Sequence, residues 1–395
     1  MTKQPTLTIL IPTRNRANLA NAAISSIMTT GGASGITVIV SDNSTDASNS
    51  SSLARYIEDA DYPSIRLIKP PLPMSMTEHW EWAITQAINE TSSSHFSILT
   101  DRMLFRPGEL DFLLPIVAEY PDEIISYTYD RILDHKSPVT YQPLPRSGNL
   151  LRLDSAHLLN MAATMRFASC FPRMLNSIAP RAQLQNLRDR YGSIFDSVSP
   201  DYCYCFRSLT QKSTIVYYDK SILISYAHDR SNGANTSRGT ESADHNDFVK
   251  TQSFGAINRL TPVPALMTVG NAVVNEYNFV RERLSDRALP EISTSHYLNF
   301  LAAEVRDYED NTKTLACLET LKRAGWKEPN RFTLGEAKTR FSDLLLWMLS
   351  SRFKTAAEAI EFALSVKPLT NSLFSMLRGD LNGRRIQRTS SAPLR

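Results

Sequence analysis

The sequence predicts an α/β chain: a mostly parallel, doubly wound sheet flanked by helices, followed by a C-terminal helical extension. Three observations predict it. Leu7 to Pro12 and Ile36 to Val40 are near-continuous apolar, β-branched runs, the pattern of parallel strands buried on both faces. Between them Leu19, Ala23, Ile24 and Ile27 recur at helical spacing before Gly31-Gly32, so strand, helix and strand follow one another as in the right-handed βαβ unit. From about Asn246 onward the apolar spacing is helical and strand signals vanish, which divides the chain into a first domain at 1–245 and a helical region with a basic tail at 246–395.

In chain order, the first strand ends at Pro12 and Arg14-Asn15-Arg16 follows as a polar turn. That loop holds no glycine, so it is no dinucleotide fingerprint, and NAD is disfavoured. The second strand runs into Ser41-Asp42-Asn43-Ser44-Thr45-Asp46. Ser48 to Asp59 reads as a helix and Ile65 to Lys69 as a third strand, closed by Pro70-Pro71-Leu72-Pro73. Ser75-x-x-Glu78 is a capping box opening a helix with Trp80, Ile84, Ala87 and Ile88 on one face. His95 to Leu99 is the fourth strand, and it delivers Asp101 and Arg102 to the carboxyl end of the sheet, where open α/β folds bind ligands. Further on, Ile124 to Thr128 and Asn149 to Leu153 read as strands, and Asp154 to Met161 and Gln183 to Arg190 as helices. Ile215 to Tyr218 and Ile222 to Tyr226 read as two strands around an Asp219-Lys220 turn. Ser342 to Leu349 and Ala356 to Val366 are the clearest helices of the C-terminal region.

With 395 residues, 42% apolar and 21% charged, the chain has ample material for a core. Forty-three basic against 40 acidic residues leave a net charge of +3, too balanced to argue for a nucleic-acid partner, although the segment after Arg378 is basic. The four cysteines lack metal spacing; Cys203-x-Cys205 reads as two thiols on a helix, and a reducing cytosol is expected. Met1 to Thr6 shows no basic-then-apolar leader, and no run reaches the roughly 18 apolar residues a membrane span needs. A cytoplasmic protein is expected. Leu369 to Leu377, followed by Arg378, Arg384, Arg385 and Arg388, reads either as a peripheral contact to an anionic membrane surface or as a packed helix with a basic tail.

Three motifs carry a resemblance: Ile11-Pro12-Thr13-Arg14-Asn15-Arg16 after the first strand, Val40-Ser41-Asp42-Asn43-Ser44-Thr45-Asp46 after the second, and Leu99-Thr100-Asp101-Arg102 after the fourth. In this order, across about residues 6 to 235, the chain resembles the family 2 type glycosyltransferases of GT-A (Rossmann-like) fold, of the kind that builds bacterial surface glycans. The resemblance implies an activated, nucleotide-diphosphate sugar donor bound by Pro12, Thr13, Arg14, Arg16, Asp42, Asp101 and Arg102, with Asp42 on the nucleotide base. Arg14 and Arg16 are within reach of phosphates or belong to a solvated turn. It also implies a glycan or lipid-linked acceptor. Ser199-Pro200-Asp201-Tyr202 resembles the stretch that supplies the base of inverting members, and Asp201 is equally well suited to cap a helix. Ser231-Asn232-Gly233 resembles an acceptor-side loop. His228 is a second catalytic candidate or a polar loop histidine.

One departure stands out. At the metal-motif position family members carry two or three acidic residues, whereas Asp101 is followed here by Arg102 and Met103. A single carboxylate beside a guanidinium is a poor cage for Mg or Mn, so metal is disfavoured, with Asp101 the ligand if one binds. Inverting transfer needs a base on the acceptor side and a charge sink for the leaving phosphate. Asp201 is expected in the first role and Arg102, through bidentate hydrogen bonds, in the second. Two other readings stay open: a transferase using a non-nucleotide sugar phosphate or diphosphate, and a non-catalytic scaffold of glycan assembly.

Overall fold

The computed structural model describes residues 6–28, 35–60, 62–251, 258–283, 289–328, 344–370 and 383–386. Strands β1 (Leu7–Thr13), β2 (Ile36–Asp42), β3 (Ile65–Ile68) and β4 (His95–Ile98) lie parallel in the spatial order β3-β2-β1-β4. Helices α1 (Ala17–Met28), α2 (Ala47–Asp59) and α3 (Met76–Glu90) connect them. All seven residues of β1 are buried because helices cover both faces. Ile9 and Ile11 pack with Ala20 and Ile24 of α1, whereas Leu10 packs with Trp80 and Ile84 of α3. Each such aliphatic side chain gains about 1.5–3 kcal/mol on burial, which is why the runs are continuous rather than alternating. The capping box forms as read: Ser75 N–H donates to Glu78 Oε2 at 3.0 Å and Ser75 Oγ accepts from Glu78 N–H.

After residue 100 the sheet becomes mixed. Strands β5 (Met103–Phe105), β6 (Ile125–Leu133), β7 (Val139–Gln142), β8 (Leu150–Asp154), β9 (Ser177–Pro180) and β10 (Thr214–Ser225) extend it beyond β4 in the order β4-β9-β6-β10-β8. β10 runs parallel to β6, and the other pairings here are antiparallel. The α/β class therefore holds, while the expectation of a mostly parallel sheet is corrected to a parallel first half joined to a mixed second half through antiparallel β9. Helices α4 (Glu109–Glu119), α5 (Ser155–Ala163), α6 (Arg181–Tyr191) and α7 (Pro200–Gln211) pack around this second half.

A second correction concerns residues 215–226. Instead of two strands about a turn, β10 is one strand with register shifts between Tyr217 and Leu223. The charges that looked like a turn have distant partners: Asp219 accepts from Ser147 N–H at 2.9 Å, and Lys220 Nζ lies 2.8 Å from Glu109 Oε2.

After β10 come α8 (Asn232–Arg238) and α9 (Ala243–Thr251), which runs across the expected boundary at 245, and the C-terminal region contains α10 (Val269–Glu282), α11 (Thr294–Arg306), α12 (Asn311–Arg323) and a helix over Ala356–Ser365. It is not wholly helical, which corrects the expectation that strands vanish there. β11 (Ser351–Phe353) pairs with β7, and β12 (Gly383–Arg385) pairs with the β8 edge. Arg106, 1% exposed, joins the last helix to the sheet through Ala363 O at 2.6 Å and Val366 O at 2.9 Å, while also binding Asp130. Gly31-Gly32, Ser342 and the basic stretch around Arg378 and Arg388 lie outside the described residues, as does Leu369 to Leu377 apart from Leu369 and Thr370. Among the described residues no helix is long and apolar enough to cross a membrane.

Candidate functional site

Asp101 and Arg102 occupy the turn between β4 and β5, closed by Met103 N–H donating to Thr100 O at 3.0 Å. β5 pairs antiparallel with the end of β10, Met103 opposite Ser225, and Tyr226 N–H donates to Arg102 O at 3.1 Å. That register sets Arg102 beside the His228–Arg230 turn, which is entered through Ala227 in a left-handed backbone at φ 52°. A cavity of about 450 Å³ opens at this point, within the range of ligand clefts. Arg102, Asp201, His228, Ser231, Asn232 and Gly233 line it, together with Tyr129 and Arg131 of β6, Arg173, and Tyr202. Val269, Ala272 and Val273 of α10 form an apolar wall.

Asp201 sits in the first turn of α7. The N-cap is Ser199, with Pro200 at the first helical position, so Asp201 is not the capping residue; proline without an N–H suits N1 and moves the cap one residue upstream. Its carboxylate remains turned to the cavity, favoured by the helix dipole. Burial raises the Asp201 pKa above the usual carboxylate range, against the opposing pull of Arg173 at 3.9 Å. Arg173 Nη2 donates to Tyr129 Oη at 3.1 Å, and its guanidinium lies 5.4 Å from the Tyr202 ring centroid. Arg173, with Arg131 adding, draws the Tyr129 phenol down to about 8 against its burial. Burial, followed by the charges of Arg102 and Arg131, pushes His228 down to about 3. The imidazole is therefore neutral around pH 7, and among the described residues its buried Nε2 has no hydrogen-bond partner.

The strand-one residues do not line this cavity; they brace its floor. Thr13 Oγ1 donates to Asp101 Oδ2 at 2.9 Å, and Arg16 stands 3.5 Å and Arg102 3.9 Å from Asp101 Oδ1. Arg16 also donates to Arg230 O at 2.7 Å, linking the β1 loop to the turn after β10. Arg14 pairs with Asp247 at 2.7 Å and donates to Met74 O, so it is no solvated turn residue. Pro12 is buried within the β1–β2 pairing, opposite Ser41. Asp42, 1% exposed, accepts from Ser44 N–H at 2.9 Å and from Ser50, with Lys69 Nζ at 4.0 Å.

The donor set at Asp101 does not fit a dication. Its carboxylate is taken by Thr13 and faces two guanidinium groups, and among the described residues no group of three His, Cys, Asp or Glu could hold a metal. Sequence reasoning missed Tyr129, Arg131 and Arg173. The period-2 alternation of β6 sets Tyr127, Tyr129 and Arg131 on one face, a signal present in the sequence. Arg173 carries no local signal.

No protein-family model matches the chain, and no curated protein matches it. Solved structures with a similar chain path include S. aureus TarS 1-349 in complex with UDP-GlcNAc, at a TM-score of 0.45 and 12% identity over 83% of this chain and 94% of that one. S. aureus TarS 1-349 in complex with UDP gives 0.45 and 11%, over 84% and 95%.

Proposed function

We propose that the chain is an inverting glycosyltransferase of GT-A type, with the family 2 pattern, moving a sugar from an activated nucleotide-diphosphate donor to a glycan or lipid-linked acceptor. Residues 1–245 form the transferase unit in this reading, and 246–395 form an extension that walls its cavity. The observation that carries it is the shared cavity of Asp201 and Arg102, a desolvated carboxylate and a guanidinium on separate elements facing one space of about 450 Å³.

Asp201 takes the proton of the acceptor hydroxyl as that oxygen bonds to the anomeric carbon, and the bond from that carbon to the phosphate oxygen breaks on the opposite face. Arg102 receives the developing phosphate charge, aided by Arg131, which lines the same cavity. His228, neutral at pH 7, supplies a hydrogen bond rather than a proton. With the Asp101 donor set unsuited to Mg or Mn, guanidinium charge takes the place of a dication, and no cofactor is needed. The reading carries with it a cytoplasmic location, the basic tail offering a peripheral contact to the inner face of the membrane.

A second reading is favoured by one observation: Asp42 is buried, holds the Ser44 N–H and the Ser50 hydroxyl, and does not line the cavity, as suits a sugar phosphate or diphosphate donor with no base to read. A thermal-shift screen of UDP-GlcNAc, other UDP and GDP sugars, and sugar phosphates separates the two. A ligand at 100 times its Kd stabilises by roughly 2.7 kcal/mol. Stabilisation by nucleotide sugars is expected; stabilisation by sugar phosphates alone overturns the nucleotide donor.

A further inference from the structure

We propose that Glu276 of α10 is a positioning residue for Asp201, gripping from behind the turn that presents the base and changing that grip with its own ionisation. The proposal rests on the transferase reading above. Asp201 follows the turn Ser197–Ser199, and Ser197 holds a left-handed backbone, φ 59°, unfavourable for a residue with a Cβ. Two helices keep it there. Thr77 of α3 donates its hydroxyl to Ser197 O at 2.8 Å. From α10, Glu276 Oε1 accepts from Val198 N–H at 2.9 Å and Ser199 N–H at 3.1 Å, and Asn275 Nδ2 donates to Ser197 Oγ at 3.2 Å. The Ser197 side chain adds a further hydrogen bond to the same carboxyl group. A fully buried carboxyl group is costly as packing alone, and this one sits on the helix that walls the cavity through Val269, Ala272 and Val273.

The titratable groups near Glu276 are Asp201 and the Cys203 thiol on α7, with Arg207 and Asp196 beyond Cys203. Arg207 and Arg283 both bind Asp196, at 3.0 and 3.2 Å. Glu304 of α11 faces only the far end of α10, accepting from Val269 and Gly270 N–H. Asp201 itself faces Arg173, with Tyr129 and Tyr202 around that pair. Burial, with the Asp201 charge adding, raises Glu276 to about 7, against the two backbone N–H groups and the Ser197 side chain that hydrogen-bond it. As pH rises through that value the two N–H bonds become charge-assisted, and the new anion raises the proton affinity of Asp201. Both changes favour the base.

The test is a carboxyl 13C titration of aspartate-labelled protein, with the Asp201 resonance assigned by its loss in Asp201→Asn. Wild type is expected to show, besides the inflection of Asp201 itself, a second one near pH 7 that persists in Tyr129→Phe. Glu276→Gln, which keeps an acceptor oxygen for both N–H groups and removes the charge, is expected to abolish the second inflection. The matching step in the kcat profile should vanish in Glu276→Gln with the donor KM unchanged. A wild-type Asp201 resonance without the second inflection, or one unaltered by Glu276→Gln, overturns the proposal; if Glu276→Gln fails to fold, the wild-type and Tyr129→Phe titrations decide. Absence of turnover with every donor would count against the transferase reading and leave the titration to judge Glu276.

Discussion

The Arg16 guanidinium at the end of β1 stands 3.5 Å from the Asp101 carboxylate at the end of β4. With Arg102 at 3.9 Å and Thr13 at 2.9 Å, the segments that follow the neighbouring parallel strands β1 and β4 carry more positive than negative charge. A unit charge pair at 4 Å and an effective dielectric near 20 is worth roughly 4 kcal/mol, comparable to part of what a dication would supply to a leaving phosphate.

Transfer should therefore survive EDTA. Arg102→Ala should lower kcat by about 100- to 1,000-fold, the usual effect of removing a group that stabilises transition-state charge. Initial rates in EDTA, with and without added Mn, check both. Loss of wild-type activity in EDTA and its return with Mn would mean that carboxylates from elsewhere complete a metal site.

Asp42→Ala should lower stability by about 1–3 kcal/mol, because the Ser44 N–H and the Ser50 hydroxyl lose a buried acceptor. It should also weaken UDP binding, measured by calorimetry. A fall in Tm with unchanged UDP affinity confines Asp42 to holding the β2 loop and favours the donor without a base.

Arg106→Ala should destabilise by about 3–5 kcal/mol, since it strips the Asp130 carboxylate of its buried cation and frees the carbonyls of Ala363 and Val366. Tyr141 Oη at 2.8 Å and Leu144 N–H at 2.8 Å would still hold Asp130, which sets the lower end of that range. Guanidinium unfolding measures it; a change under 1 kcal/mol would contradict the anchoring role of Arg106.

What the sequence made legible follows from how locally each feature is determined. β1, β2, β4 and the α3 capping box are written in contiguous residues, because a strand buried on both faces needs every position apolar and a cap needs only Ser75 and Glu78. β10 was not legible as one strand: Asp219 and Lys220 look like a turn until Ser147 and Glu109 are brought to them. The same holds at the site. Asp201, Arg102 and His228 carry motif signals, whereas the Arg173–Tyr129 pair spans 44 residues and the Glu276–Ser199 bond 77, and no local pattern encodes either. Asp42 and Arg14 show the converse, a motif signal whose side chains turn inward or pair with Asp247.

The most direct measurement of the central claim is the transfer rate of Asp201→Asn against wild type, with the donor found by the thermal-shift screen. Asparagine keeps the shape at the start of α7 but cannot take a proton, so folding and donor affinity should be unchanged while kcat falls by on the order of 100- to 10,000-fold. Turnover within a few-fold of wild type would remove Asp201 from the role of base, and with it the account of this cavity.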